Sequence, residues 1–184
     1  MKKTFTSEYV MANRGCYDRE QVKNLSFYSK KRIHIKDLFK SELNTKDAYW
    51  FLFKKCDLTL KEKLSHCLEL AEIVLPICEK TSPDDKRLRD CICAVKDFNK
   101  GKISRSDLQT YTAHAYNAAY DASASASADA AVAAADAAYA ATYAHAYNAD
   151  AAADAAAASA ADAAADAEFK NKIIECTIKF IDSK

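Results

Sequence analysis

Apolar side chains recur every three or four positions over much of the chain after Asn44, a spacing that predicts amphipathic helices. Asn44 itself can cap the first of these helices. Thr59 opens the second helix with a capping box that Glu62 completes. The pattern therefore predicts that residues 44–104 form a helical core.

Further helix boundaries follow from capping residues and prolines. Ser82, which precedes a proline and two acids, predicts the start of a third helix that ends at residues 99–101. Pro76 inside the second helix predicts a kink, or an early end about one turn upstream. Ser104 opens the next helix, and an apolar stripe from Phe169 predicts the last one.

Alanine makes up about three-fifths of residues 113–167. Alanine has the highest helix propensity, so this stretch is predicted to be helical. A single helix over residues 105–167 would be about 95 Å long, which favours a break near residues 121–130 and an antiparallel pair instead. One hexapeptide, AHAYNA, occurs at residues 113–118 and again at residues 144–149, which indicates an internal duplication.

The first 43 residues are polar and basic, and they have no sustained hydrophobic period. Residues 1–32 are compatible with an arm, a short hairpin or partly disordered chain, whereas Ile33–Ile35 indicates a short extended piece entering a short helix. We expect one domain with a basic N-terminal region (1–43), a core (44–104), an acidic arm (105–167) and a C-terminal helix (168–184). The predicted fold class is all-α, a helical bundle with an elongated alanine-rich hairpin and a short irregular basic N-terminal region.

Composition supports this fold class, because the 184 residues include only two glycines and two prolines. The net charge of +1 hides a segregation: residues 1–65 carry 15 Lys or Arg against 8 Asp or Glu, and residues 106–168 carry none against 9. The two regions can attract each other within the fold or present charged faces to a partner. Seven cysteines and a polar N-terminus predict reduced thiols in a soluble cytoplasmic protein with no membrane contact.

Motifs of common catalytic sites are absent from the sequence: it has no glycine-rich phosphate loop, no nucleophile elbow and no HExxH zinc helix. Cys91 and Cys93 lie about 200° apart on a helix and cannot chelate one ion together. Cys67 and Cys78 occupy core positions of the second helix. We therefore predict a protein that is not an enzyme, with no cofactor and no metal site.

A polar face with tyrosines is predicted in the alanine-rich arm, within about 80° on a helical wheel. Its members are Asp136, Tyr139, Tyr143, Tyr147, Asp150 and Asp154. It is either a solvated face that keeps the helix soluble or a binding face for a basic protein. His114 and His145, each with an asparagine three residues later, are either matched binding determinants or duplicated polar pairs between alanines.

Basic residues beside aromatic side chains in the N-terminal third are the candidates for nucleic-acid contact. These are Lys30, Lys31, Arg32, Lys54 and Lys55. Such clusters can bind phosphate while the aromatic rings stack on bases. The aromatic residues at 49–53 are equally compatible with a place in the core.

Three segments resemble the alanine-rich "putative immunity protein" family of bacteria and phages. They are LAEIVLPICEK (70–80), PDDKRLRD (83–90) and KDFNKGKIS (96–104), followed by alanine-rich helix to residue 118. The sequence departs from the family pattern at Cys91–Cys93 and in residues 1–58, which have no counterpart in shorter members. The resemblance implies a small helical protein that binds and neutralises a toxin without catalysis.

Two functions remain open from the sequence. The first is a non-enzymatic inhibitor of a protein effector, either a bacterial toxin or a host defence nuclease with its nucleic acid, as for a phage anti-CRISPR-type protein. Here the acidic helices could mimic phosphate. The alternative is a nucleic-acid-binding protein that uses the basic N-terminal region.

Overall fold

The computed structural model describes residues 3–13, 17–121, 125–142, 149–164 and 167–184, with side chains at all of these positions except 19, 125–128, 131, 142, 149, 150 and 167. Helices dominate the described chain, as the sequence predicted, and the all-α bundle is confirmed. The elements in chain order are β1 (Thr4–Phe5), α1 (Ser7–Ala12), α2 (Arg19–Lys23), β2 (Ile33–His34), α3 (Ile35–Phe39), α4 (Thr45–Lys55), α5 (Leu60–Thr81), α6 (Arg87–Asn99), α7 (Arg105–Asp121), α8 (Ser125–Thr142), α9 (Ala149–Ala163) and α10 (Ala167–Asp182).

The contacts divide the chain into two compact units. Unit 1 comprises Met1–Asp57 with Ile178–Lys184, and unit 2 comprises Leu58–Thr177. The prediction of one domain with a separate core and arm stays a prediction.

Unit 1 is folded around a small two-stranded sheet and short helices. Strands β1 and β2 pair antiparallel, with Phe5 opposite Ile33, and both of these side chains are buried. Helix α4 begins where the sequence predicted, because the Asn44 side chain accepts a hydrogen bond from the Lys46 amide. The N-terminal region is therefore an ordered part of a core over its described residues.

Helix α5 runs without interruption from Leu60 to Thr81, so it does not end early at Pro76. The capping box predicted at Thr59 and Glu62 is present at its start. Pro76 lies on the exposed side of the helix, where water can satisfy the carbonyl group that loses its amide partner. The buried face of α5 contains Cys67 and Cys78, as predicted.

Helix α6 begins at Arg87, four residues after the predicted start at Pro83. Residues 82–85 instead form a turn in which the Asp85 amide donates to the Ser82 carbonyl group. Asp85 Oδ1 then accepts a hydrogen bond from the Arg87 amide at 3.0 Å, which takes over the capping role predicted for Ser82. The predicted end of the helix is confirmed, since Gly101 has a positive φ of 71° just beyond it.

The described residues of the alanine-rich region belong to three helices, α7, α8 and α9, where the sequence predicted a hairpin of two. Helix α7 packs against α8, and α8 packs against α9. Residues 122–124 of the predicted break lie outside the described residues. Helix α8 packs against α5, α6, α7 and α9, so it lies inside unit 2 and is not an arm that projects from it.

Alanine explains the central place of α8, because its small side chain lets other helices approach on every side. Buried alanines cover most of the circumference of the helix, and the remaining side carries the half-buried Asp129, Val132, Asp136 and Tyr139. The buried alanines are 130, 133, 134, 135, 137, 138, 140 and 141. No helix within the described ranges is both long and apolar enough to span a membrane.

Candidate protein-binding surface

Helix α7 exposes one face and buries the other. Its start is capped by Ser104 and Asp107, which exchange hydrogen bonds. A buried stripe follows at Leu108, Thr112, Ala115 and Ala118. The buried Thr112 hydroxyl donates to the Leu108 carbonyl group, so no polar atom of that side chain is left unsatisfied. The opposite side of α7 therefore faces solvent.

Three tyrosine side chains of α7 are exposed: Tyr116 and Tyr120 lie towards this side, whereas Tyr111 lies about 180° from Tyr120, at the edge of the buried stripe. The exposed fractions are 36% for Tyr111, 39% for Tyr116 and 92% for Tyr120. His114 and Asn117 are exposed between them, and the His114 ring lies edge-on to that of Tyr111 with centroids 6.5 Å apart. We call these five residues the α7 tyrosine face.

A hydrogen bond anchors the centre of the α7 tyrosine face to α8. The Tyr116 hydroxyl donates to Oδ1 of Asp136. Burial raises the pKa of Asp136 above its ordinary value, and the hydrogen bond from Tyr116 offsets only part of this rise. Burial, together with the bond to Asp136, raises the pKa of the Tyr116 hydroxyl. The hydroxyl therefore stays protonated as the donor, and the ring is held with one edge against α8.

Ion pairs hold the C-terminal end of α7 to α6. The Arg87 guanidinium contacts Asp85 at 2.7 Å and Asp121 at 2.8 Å. The bond from Arg87 lowers the pKa of Asp85, and the two carboxylates raise the pKa of Arg87. One guanidinium is thus shared between two carboxylates, and it only partly offsets the charge of Asp121.

Acidic side chains between residues 106 and 168 make contacts within unit 2. Asp107 caps α7, Asp121 pairs with Arg87, Asp136 accepts from Tyr116, and Glu168 pairs with Lys172. Two of these partners, Arg87 and Lys172, are cations and partly offset the negative charge of this region.

The predicted polar face with tyrosines does not lie along a single helix. Asp136 and Tyr139 are half-buried on α8, whereas Asp150 and the half-buried Asp154 belong to α9. Tyr143, Tyr147 and His145 lie outside the described residues, and so does the side chain of Asp150. Of the predicted site residues in this region, His114 is in the α7 tyrosine face, and Asp136 touches it through Tyr116.

Sequence reasoning missed Tyr111, Tyr116 and Tyr120. On a helical wheel Tyr111 lies on the side of the buried Leu108 and Ala115, so helical spacing does not reveal its exposure. A signal was present, because Tyr116 and Tyr120 are four residues apart and point away from the Leu108–Ala118 stripe on a helical wheel. The neighbouring alanines make the difference between the buried and the exposed side hard to recognise, because alanine occurs on both sides of a helix.

Unit 1 carries the candidate nucleic-acid residues. Lys30 pairs with Asp37 at 2.7 Å, and Arg32 donates to the Thr4 hydroxyl at 3.1 Å. Lys55 lies over the Trp50 ring, 4.8 Å from its centroid. Trp50 is 40% exposed, beside an apolar cavity of about 140 Å³, whereas its neighbours Tyr49, Phe51 and Phe53 are buried. Lys31 and Lys54 are exposed.

Cysteines of unit 2 are separated as the sequence predicted. Cys91 is buried against α8, and burial raises its pKa to about 12. Burial likewise raises the pKa of Cys67, whose thiol donates to the Ala153 carbonyl group at 3.1 Å. Cys93 is exposed. The Cys91 and Cys67 thiols are therefore packing groups of low reactivity.

A family model described as "Imm-5 like putative immunity protein" matches residues 59–178, which is more than half of the 184 residues. The chain belongs to this immunity-protein family. The matched range is nearly the same as unit 2, Leu58–Thr177, and it contains the whole α7 tyrosine face. No curated protein and no solved structure matches the chain.

Family membership supports a general role in immunity, which implies binding to a protein partner. It also confirms the resemblance noted in segments 70–118. Almost all of unit 1 lies outside the matched range, so the family match covers unit 2.

Proposed function

We propose that this chain is a non-catalytic inhibitor that binds a protein effector through the α7 tyrosine face and so neutralises a bacterial toxin or a host defence nuclease. The observation that carries the proposal is the exposure of Tyr111, Tyr116 and Tyr120 on one helix. All three lie within the range that the immunity family covers.

Tyrosine suits this role for energetic reasons. Its ring buries a large area with only two rotatable bonds, so it loses little entropy when a partner binds. The bond to Asp136 already fixes the Tyr116 ring, which reduces that loss further. Tyrosine is also enriched among the residues that dominate binding energy at protein interfaces.

Charge favours a partner with a cationic surface. The chain has neither lysine nor arginine from residue 106 to residue 168. A basic partner therefore meets no repelling side chain there, and the carboxylates can increase its association rate. Because Asp121 is already paired with Arg87, we expect the tyrosines to contribute more to affinity than this carboxylate does.

Nucleic-acid binding by unit 1 is less well supported. Base stacking on Trp50 requires displacement of the Lys55 ammonium group from its ring. Lys30 is already paired with Asp37. The matched family range also excludes the residues that this function needs.

Co-expression with the products of neighbouring genes tests the proposal. We expect the wild-type chain to restore growth in the presence of one toxic neighbour or one defence nuclease. Tyr120→Ala should lose this protection, and Trp50→Ala should keep it, because Trp50 lies outside the proposed surface. Lys170→Ala, an exposed change on α10, is the matched neutral control. If protection survives Tyr120→Ala but is lost in Trp50→Ala, the function depends on unit 1 and not on the α7 tyrosine face.

A further inference from the structure

His66, Glu69 and Cys176 bring three different metal-ligand atoms together in unit 2. His66 and Glu69 are one turn apart on α5, and Cys176 is on α10. Their ligand atoms all lie within 4.8 Å of one another. Glu69 Oε2 is 3.4 Å from His66 Nδ1 and 3.6 Å from Cys176 Sγ.

The hydrogen bonds around His66 assign the roles of its ring nitrogens. The Thr177 hydroxyl donates its single hydrogen to the Ile173 carbonyl group at 2.8 Å. His66 Nε2, 3.1 Å from the same hydroxyl oxygen, must therefore be the donor in that contact. The proton of the neutral ring is then on Nε2, and Nδ1 presents its lone pair towards the Glu69 carboxylate.

This arrangement is typical of a histidine that binds a metal. Such a histidine donates its second ring N–H to a neighbouring acceptor, which fixes the tautomer and the ring orientation. Here Thr177 is that acceptor, and the His66 ring is fully buried, so it cannot turn away. A metal cation bound to both groups would remove the repulsion between the His66 Nδ1 lone pair and the Glu69 carboxylate.

Two of the three separations between ligand atoms fit tetrahedral zinc, and the third, from His66 to Cys176, is within 4.8 Å. Bonds of about 2.0 Å to nitrogen and oxygen and about 2.3 Å to sulfur place a nitrogen and an oxygen ligand about 3.3 Å apart, and an oxygen and a sulfur ligand about 3.5 Å apart. The observed separations are 3.4 Å and 3.6 Å. Glu69 is about half exposed and Cys176 is partly exposed, so an ion can reach both groups from solvent.

We propose that His66, Glu69 and Cys176 bind one Zn²⁺ ion, with water as the fourth ligand. Binding releases the Cys176 thiol proton to solvent, because thiolate is the ligand form. The ion links α5 to α10, the helix that closes the matched family range. We expect it to stabilise unit 2, and this role goes beyond the proposed binding to an effector.

Cobalt and zinc titrations of the full chain under reducing conditions test the site. Wild type should bind one Co²⁺ with a thiolate-to-cobalt charge-transfer band, and a hundredfold excess of Zn²⁺ over its Kd should raise Tm by about 5 °C. Cys176→Ser should lose both effects. Cys93→Ser, which changes an exposed thiol on α6, should keep both.

Two further variants test the ligand set without removing the buried histidine. Glu69→Gln should weaken Zn²⁺ binding by at least about tenfold, and Thr177→Val should weaken it by about tenfold through loss of the acceptor for Nε2–H. The absence of a charge-transfer band in wild type would overturn the proposal. So would a band that persists in Cys176→Ser, or one that depends on Cys93.

Discussion

The Tyr116 hydroxyl on α7 donates a hydrogen bond to the half-buried Asp136 carboxylate on α8. This bond connects the exposed surface of unit 2 to its central alanine helix. It also explains why a carboxylate is tolerated beside the buried alanines of α8, since a buried charge needs a hydrogen-bond donor. The α7 tyrosine face is therefore attached to the core by its own polar atom.

Tyr116→Phe should lower the free energy of unfolding by about 1–2 kcal/mol at neutral pH, because it removes a donor from a half-buried carboxylate. The hydrogen bond from Tyr116 lowers the pKa of Asp136, which burial raises. Without this bond, Asp136 in the variant takes up a proton at a higher pH than Asp136 in the wild type. The penalty should therefore shrink as the pH falls. Urea unfolding at several pH values measures this effect.

Tyr120→Phe is the control for that measurement, because the Tyr120 side chain is 92% exposed. Its unfolding free energy should stay within about 0.5 kcal/mol of wild type. An equal loss in both variants would mean that the bond to Asp136 does not contribute to stability.

Asp85→Asn should reduce stability by about 0.5–1 kcal/mol at neutral pH, a modest value because the ion pair with Arg87 is partly exposed. Arg87 holds the pKa of Asp85 below its ordinary value of 3.8. The stabilisation is therefore fully present above that ordinary value and is lost as the pH falls through the lower folded-state pKa. Thermal unfolding of both proteins from neutral to acidic pH should show the difference disappear in acid. A difference that is constant with pH would contradict this account.

Ala138→Leu should destabilise the protein by about 1–3 kcal/mol or more, because α8 has no space for a larger side chain. Ala138 is fully buried, whereas Ala113 on α7 is exposed. Ala113→Leu is therefore the matched control, and it should change stability by less than about 0.5 kcal/mol. Similar effects of the two substitutions, measured by denaturant unfolding, would show that α8 is not tightly packed.

The sequence predicted the features that depend on local chemistry. Asn44 and Thr59 start helices because their side chains bond to amides within the next few residues. The buried positions of Cys67 and Cys91 follow from helical spacing. These features need no knowledge of which helices pack together.

Features that depend on packing between distant segments were not predicted. In α8 eleven of the 18 residues are alanine, so only a weak contrast between polar and apolar positions marks its buried side. The bond from Tyr116 to Asp136 joins residues 20 positions apart, and the bond from Cys176 to Glu69 joins residues 107 apart. Single-sequence patterns carry no signal for such pairs.

The affinity of the Tyr120→Ala variant for its protein effector tests the central claim most directly. The effector is the one identified by co-expression, and calorimetry gives Kd for wild type, Tyr120→Ala and Lys170→Ala. We expect Tyr120→Ala to bind at least about thirtyfold more weakly, a loss of about 2 kcal/mol, and to keep its unfolding free energy. Lys170→Ala should bind like wild type. Unchanged affinity of Tyr120→Ala would contradict the assignment of the α7 tyrosine face as the binding surface.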